Sequence, residues 1–209
     1  MTAVIAPMVF VVDDDASVRK SLARLIKTAG YEAEAFASVG EFLARRPYDG
    51  PCCLVLDVRM PGLTGLDLQE ALRAAGRRLA IVFITGWGDV RASVAAMKGG
   101  AVDFLTKPLD EGTLLAAVKQ AVARTLAERR ELARVTEVRK HIATLTPREA
   151  EVFALVVTGM LNKQIGDRLG IVEKTVKVHR ARVMEKMQAG SLSELVRLAG
   201  TGGVIAARL

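Results

Sequence analysis

Cys53-Leu54-Val55-Leu56-Asp57 is a run of apolar residues that ends in one carboxylate, and Val58-Arg59-Met60-Pro61-Gly62-Leu63-Thr64-Gly65 follows it directly. Proline presets one backbone angle and glycine opens others, so the second stretch reads as turn chemistry and the strand stops at Asp57. In a doubly wound parallel sheet, ligands bind at the carboxyl edge of the strands. Asp57 is therefore expected at the functional centre.

On the amino-terminal side, Met8-Val9-Phe10-Val11-Val12 has the continuous apolar character of a central parallel strand and ends in Asp13-Asp14-Asp15. Val18, Leu22, Leu25, Ile26 and Ala29 predict one face of a helix that stops at Gly30. A short strand is expected near 32–36, and Ser38 with Glu41 reads as a capping box opening a helix through about Arg45. Beyond Asp57, a helix over about 66–75 precedes the strand Ala80-Ile81-Val82-Phe83-Ile84, which runs into Thr85-Gly86. A helix beginning at Asp89 ends at Gly99-Gly100, and Ala101 to Thr106 forms a fifth strand running into Lys107-Pro108. Five βα units in succession predict a five-stranded, doubly wound, flavodoxin-like α/β sheet.

Such a sheet gathers Asp13, Asp14, Asp57, Thr85 and Lys107 at one edge. Three carboxylates together repel and need a cation; hard oxygen ligands with room for water suit Mg²⁺, which also neutralises phosphoryl oxygens. Asp57 can then act as nucleophile towards an in-line phosphoryl donor. Lys107 can pair with the charged product, and Thr85 can hydrogen-bond it. A single aspartate at a strand end is usually a turn former; five such groups in register point to a phosphoryl-acceptor site. Asp15 reads as a residue favoured by the helix dipole and is left out of the site. Trp87 either overhangs the phosphoryl position or sits on an exposed loop.

These residues resemble the receiver domain of two-component response regulators, through Val12-Asp13-Asp14, Leu56-Asp57 with Met60-Pro61-Gly62 and Gly65, Thr85-Gly86, and Asp103 to Pro108. The resemblance implies that Asp13, Asp14, Asp57 and the backbone carbonyl of Arg59 bind Mg²⁺. It also implies a cis Lys107–Pro108 peptide and an aromatic switch at Phe104 acting with Thr85.

Neither Gly nor Pro occurs between Thr113 and Thr146, and Leu114, Val118, Val122 and Leu126 recur every four residues. A long helix leaving the first domain as a connector is predicted. The expected division is a receiver over 1–124, a helical linker over 125–143 and a second domain over 144–209. There Thr146-Pro147-Arg148-Glu149 combines an N-cap, a first-position proline and a capping-box glutamate, opening a helix that stops near Gly159. Asn162 to Leu169 reads as a second helix ended by Gly170, and about 172–187 as a third. That is the helix-turn-helix pattern, with the later helix aimed at a major groove.

In that helix Val172, Val176, His179, Val183 and Met187 form the expected core stripe, with His179 a packed histidine rather than a ligand. Lys174, Lys177, Val178 and Ala181 lie opposite, flanked by Arg180 and Arg182. The charge bias of that face points to phosphate and base contact, with Arg180 and Arg182, at its edges, expected on phosphates. Charge agrees with this: residues 1–124 carry 15 Lys+Arg against 14 Asp+Glu, and residues 125–209 carry 15 against 9.

Leu145 to Glu149, Asn162-Lys163-Gln164-Ile165 and Thr175-Val176-Lys177-Val178-His179 resemble the LuxR-type four-helix DNA-binding domain, with Leu192 to Ala199 as its last helix. The whole is similar to response regulators of the FixJ/NarL type, nearest the FixJ branch through Thr85-Gly86 and Gly88-Asp89-Val90. The resemblance implies that Lys177 and Val178 face base edges, and Ala181 stands where members often carry a further cation.

A chain of 209 residues, 51% hydrophobic and 25% charged, can bury two cores. Adjacent Cys52 and Cys53 lack zinc-site spacing and suit a reducing compartment. No stretch approaches about 18 continuous apolar residues, and Met1 to Val12 contains Pro7 with no basic region before its apolar run, so a cytoplasmic location is expected. A Mg²⁺-dependent phosphatase would want a second acid two residues after its nucleophile; Arg59 stands there. A switch whose helical domain binds only protein is a further alternative. The expected function is a DNA-binding response regulator, not an enzyme. Its expected partners are a sensor histidine kinase, promoter DNA, a second copy on phosphorylation, and RNA polymerase.

Overall fold

The computed structural model describes residues 6–77, 79–86 and 90–204. The chain divides into two compact units, 1–129 and 130–209. In the first, strands β1 (Met8–Val12), β2 (Glu32–Phe36), β3 (Cys52–Asp57), β4 (Ala80–Thr85) and β5 (Asp103–Thr106) alternate with helices α1 (Ala16–Thr28), α2 (Val39–Ala44), α3 (Gly65–Ala74) and α4 (Val90–Lys98). All strand pairs are parallel, in the order β2-β1-β3-β4-β5. β3 is central and all six of its residues are buried, the reason its sequence shows no alternation.

The strand period of two sends alternate residues to two cores. Phe10, Leu54, Leu56 and Phe83 meet α2, α3 and α4 through Phe42, Leu68 and Ala96. Val9, Val11, Val55 and Ile84 meet α1 and helix α5 (Glu111–Ala143) through Leu22, Ile26, Leu114 and Val118. Cys52 and Cys53 follow the same alternation, one to each core, and burial pushes the Cys53 thiol up to about 12. They behave as small strand hydrophobes.

α5 is one helix of 33 residues. Thr125 Oγ1 donates to the Cys52 carbonyl at 2.9 Å, joining α5 to the start of β3. In the second unit, Val138 of α5 joins a core with α6 (Pro147–Val156), α7 (Asn162–Leu169), α8 (Glu173–Lys186) and α9 (Leu192–Gly202). Thr146 and Glu149 form the expected capping box, and Gly170 ends α7 at φ +66°, a conformation that favours glycine.

Four local expectations are corrected. Ser38 caps α2, but the Glu41 carboxylate accepts from the Ala37 N–H rather than from the N-cap N–H. β5 begins at Asp103, because Ala101 and Val102 first close the end of α4 and reach Ile81. α9 runs to Gly202, whose missing Cβ lets Ile142 and Val138 pack against it. Val172 is the N-cap of α8 and 69% exposed, so the core stripe starts at Val176. Asp89, Gly88 and Trp87 lie outside the described residues, as do 205–209.

Candidate functional site

The parallel register carries the ends of β1, β3, β4 and β5 to one edge. One carboxylate oxygen from each of Asp13, Asp14 and Asp57 lies within 4.8 Å of the others. Asp13 and Asp57 are buried, while Asp14 is exposed. Gly65 makes the approach to Asp57 possible: a Cβ there would sit 2.3 Å from the Asp57 carbonyl oxygen. The Thr64–Asp67 capping box then starts α3 immediately beyond it.

Lys107 Nζ donates to Asp13 Oδ2 at 2.6 Å and lies 3.6 Å from Asp57 Oδ2. Asp13 is held at two further atoms: Oδ1 accepts from the Asp15 N–H at 2.9 Å, and its carbonyl accepts from Arg19 Nη1 at 2.6 Å. Asp57 Oδ1, by contrast, is buried without a hydrogen-bond partner. Burial pushes the Asp57 carboxyl above its usual range; Lys107 and the Arg59 N–H oppose that push, and Asp13 and Asp14 add to it. Burial also works against the charge on Lys107, but its bond to Asp13 and the charges of Asp57 and Asp13 outweigh that and raise its pKa.

Three carboxylates and one ammonium leave a formal excess of two negative charges. Like charges no more than 4.8 Å apart repel by at least about 3 kcal/mol at an effective dielectric constant of about 20. An all-oxygen donor set, one of its buried atoms unpartnered, fits a divalent hard cation such as Mg²⁺. Thr85 is buried at the end of β4 and its carbonyl accepts from the Lys107 N–H at 2.7 Å. Phe104 is half-buried and tilts against Phe83 at 6.3 Å between ring centroids. The Lys107–Pro108 peptide is cis.

The structure thus places Asp13, Asp14, Asp57, Thr85 and Lys107 at one edge. Arg19 and the Asp15 N–H were missed from the sequence. Asp15 does cap α1, accepting from the N–H groups of Ser17 and Val18, as its position suggested. Its second contact, to Asp13, depends on loop geometry.

On α8, Lys174, Lys177, Val178 and Arg182 are exposed, and Val176, Val183 and Met187 are buried. Arg180 is half-buried, with Nη1 donating to Asn162 Oδ1 of α7 at 3.3 Å. His179 is half-buried, and its Nδ1 has no hydrogen-bond partner. Lys177 Nζ lies 3.0 Å from Glu173 Oε1, a residue not singled out from the sequence.

Residues 9–119 match the family model described as response regulator receiver domain, and residues 143–199 that described as bacterial regulatory proteins, luxR family. The chain is 47% identical over 199 residues to nodulation protein W of Bradyrhizobium diazoefficiens, covering 95% of this chain and 88% of that protein. It is 46% identical over 197 residues to the transcriptional regulatory protein FixJ of Azorhizobium caulinodans, covering 94% and 93%. Among solved structures, the response regulator StyR aligns with a TM-score of 0.84 at 44% identity over 94% of this chain and 99% of that one. Full-length FixJ from B. japonicum aligns with a TM-score of 0.58 at 40% identity, covering 95% and 98%.

Proposed function

The chain belongs to the response regulators that join a receiver to a LuxR-type DNA-binding domain, and from that premise we propose a phosphorylation-switched transcription factor whose phosphoacceptor is Asp57. The observation that carries this is the Asp13, Asp14 and Asp57 cluster with Lys107 between two of its members. A sensor histidine kinase presents the phosphoryl group. The Asp57 carboxylate, at the carboxyl end of β3, supplies the attacking oxygen. Asp13, Asp14, Asp57 and the Arg59 carbonyl would hold Mg²⁺, which when bound supplies charge neutralisation for the phosphoryl oxygens.

Once Asp57 carries a phosphoryl group, Lys107 exchanges Asp13 for the new anion and Thr85 turns towards it. Phe104 then rotates into the space Thr85 leaves, a local charge biasing a two-state element. Receivers dimerise through the altered face, and two copies of the second domain occupy a two-fold related promoter site. Lys177 and Val178 contact bases there; Lys174, Arg180 and Arg182 hold phosphates. RNA polymerase is the further partner. The receiver comprises 1–124, the linker 125–143 and the DNA-binding domain 144–209. No described helix is long and apolar enough to cross a membrane, and a cytoplasmic location is part of the proposal.

Asp57→Asn keeps the side-chain size and removes the nucleophile. Label from a ³²P-phosphorylated sensor kinase or from acetyl phosphate is expected on wild type with Mg²⁺, and neither on the variant nor with EDTA. Equal labelling of the variant would overturn the assignment of Asp57.

A further inference from the structure

Between Glu173 and Arg182, α8 carries four Lys or Arg side chains and a single acid, Glu173. An acid in a first helical turn is ordinarily a dipole-favoured surface residue, and an i,i+4 ion pair ordinarily a weak surface contact. This one stands at the amino-terminal end of the helix proposed to enter DNA, where recognition helices meet base edges. A carboxylate there faces a polyanion and is best placed opposite a donor on the DNA.

The pair with Lys177 suggests that donor. Lys177 Nζ and Glu173 Oε1 are 3.0 Å apart, with side chains 64% and 48% exposed. A C·G base pair presents, side by side in the major groove, the cytosine N4 amino group and the guanine O6 acceptor. Their own Watson–Crick bond spans about 2.9 Å and leaves one N4 hydrogen and one O6 lone pair directed into the groove. We infer that Glu173 is a specificity-determining residue, and that it and Lys177 together read one C·G pair. Glu173 accepts from cytosine N4, and Lys177 donates to guanine O6 and N7.

An A·T pair also offers a donor and an acceptor, but adenine N6 is flanked on both sides by acceptors, N7 and thymine O4. A carboxylate at N6 would face both. The cytosine N4 donor has an acceptor on one side only, and the guanine beside it gives Lys177 two acceptors instead of one. In the free protein the ion pair already sets the two groups 3.0 Å apart, close to the spacing at which the base pair presents its donor and acceptor.

The inference rests on α8 entering the major groove and is separable from that reading. The full chain, with Mg²⁺ and beryllofluoride, is used to select sites from random duplex DNA, followed by titrations against every base pair at each enriched position. Wild type is expected to require C·G at one position per half-site by about tenfold. Glu173→Ala and Lys177→Ala should each erase preference at that same position, and the double variant should lose little more than either single one. Glu173→Gln should move the preference towards A·T, because an amide both accepts from N6 and donates to N7. An enriched motif that Glu173→Ala leaves intact, or a uniform gain in affinity for all sequences, would overturn the inference and leave DNA binding standing. Enrichment of no sequence by wild type would overturn the DNA reading and this inference with it.

Discussion

Each unit buries a carboxylate against a lysine at the same distance, 2.6 Å: Asp13 with Lys107 in the first, Glu149 with Lys186 in the second. Their surroundings differ. Glu149 has no second acid beside it among the described residues; its Oε2 accepts from Lys186 and from the Thr146 N–H at 2.8 Å. Lys186 also donates to the Thr144 carbonyl at 3.0 Å, tying the end of α8 to the start of α6. The bond from Lys186, reinforced by the Thr146 N–H, holds the Glu149 carboxyl at about 2. Asp13 instead shares its lysine with Asp57 and stands beside Asp14. A saturated pair holds a fold together; the same pair among surplus like charges remains poised for an incoming cation.

The largest expected effect comes from breaking the saturated pair. Lys186→Met leaves Glu149 buried with its charge uncompensated, and the second unit should melt on the order of 10 °C lower, with the first unit unaffected. Calorimetry of the full chain, with hydrogen exchange to assign each transition, measures it. An unchanged second transition would mean that the Glu149–Lys186 pair does not hold the second unit together.

Mg²⁺ should act on the other side of the comparison. At a hundredfold excess over its Kd it should stabilise the first unit by about 2.7 kcal/mol and the second not at all. In EDTA, Asp57→Asn should raise the melting temperature of the first unit by a few degrees, because one member of the like-charged cluster is gone. A decrease would mean that Asp57 is held by attraction to Lys107 more than it is repelled by Asp13 and Asp14.

Acid titration should give slopes of opposite sign. The Glu149 carboxyl is lowered from 4.5 to about 2, so the unfolded chain binds the proton first. Its stabilisation is complete above 4.5 and is lost as pH falls towards 2. Asp57 is raised above 3.8, so the folded state binds the proton first, and its contribution falls as pH rises from 3.8 through the raised value. Comparing wild type with Glu149→Gln and Asp57→Asn, unit by unit, isolates each slope. The same sign for both carboxylates would remove the distinction drawn between them.

The smallest effect sharpens the comparison without touching either pair. Val172 caps α8 with no side-chain acceptor. Val172→Ser should add about 1 kcal/mol to the second unit and leave the Glu149 acid slope unchanged, as seen in denaturant midpoints at two pH values.

Much of this was legible from residue order. The strand ending at Asp57, the acids after β1, Thr85 after β4 and Lys107 after β5 follow from apolar runs meeting polar ends, and the Thr146–Glu149 box from local chemistry three residues apart. The Glu173–Lys177 spacing is equally visible, but the charge bias of the same helix points only to its cations.

What remained hidden depends on groups far apart in sequence or on the exact course of a turn. Whether Lys107 rests on Asp13 or Asp57 is decided by where the ends of β1, β3 and β5 stand relative to one another, the difference between 2.6 and 3.6 Å that no sequence spacing encodes. Val172 has the right interval for the core stripe, yet it precedes the first turn of α8 and faces solvent. Periodicity assigns a side to a residue only where the backbone is already helical. The Glu149–Lys186 bond joins residues 37 positions apart, and it exists because the second unit brings the start of α6 to the end of α8. The sequence by itself determined which elements form and which chemical groups end them; packing alone decided which of those groups meet, because hydrogen bonds and ion pairs require distances that only the assembled core sets.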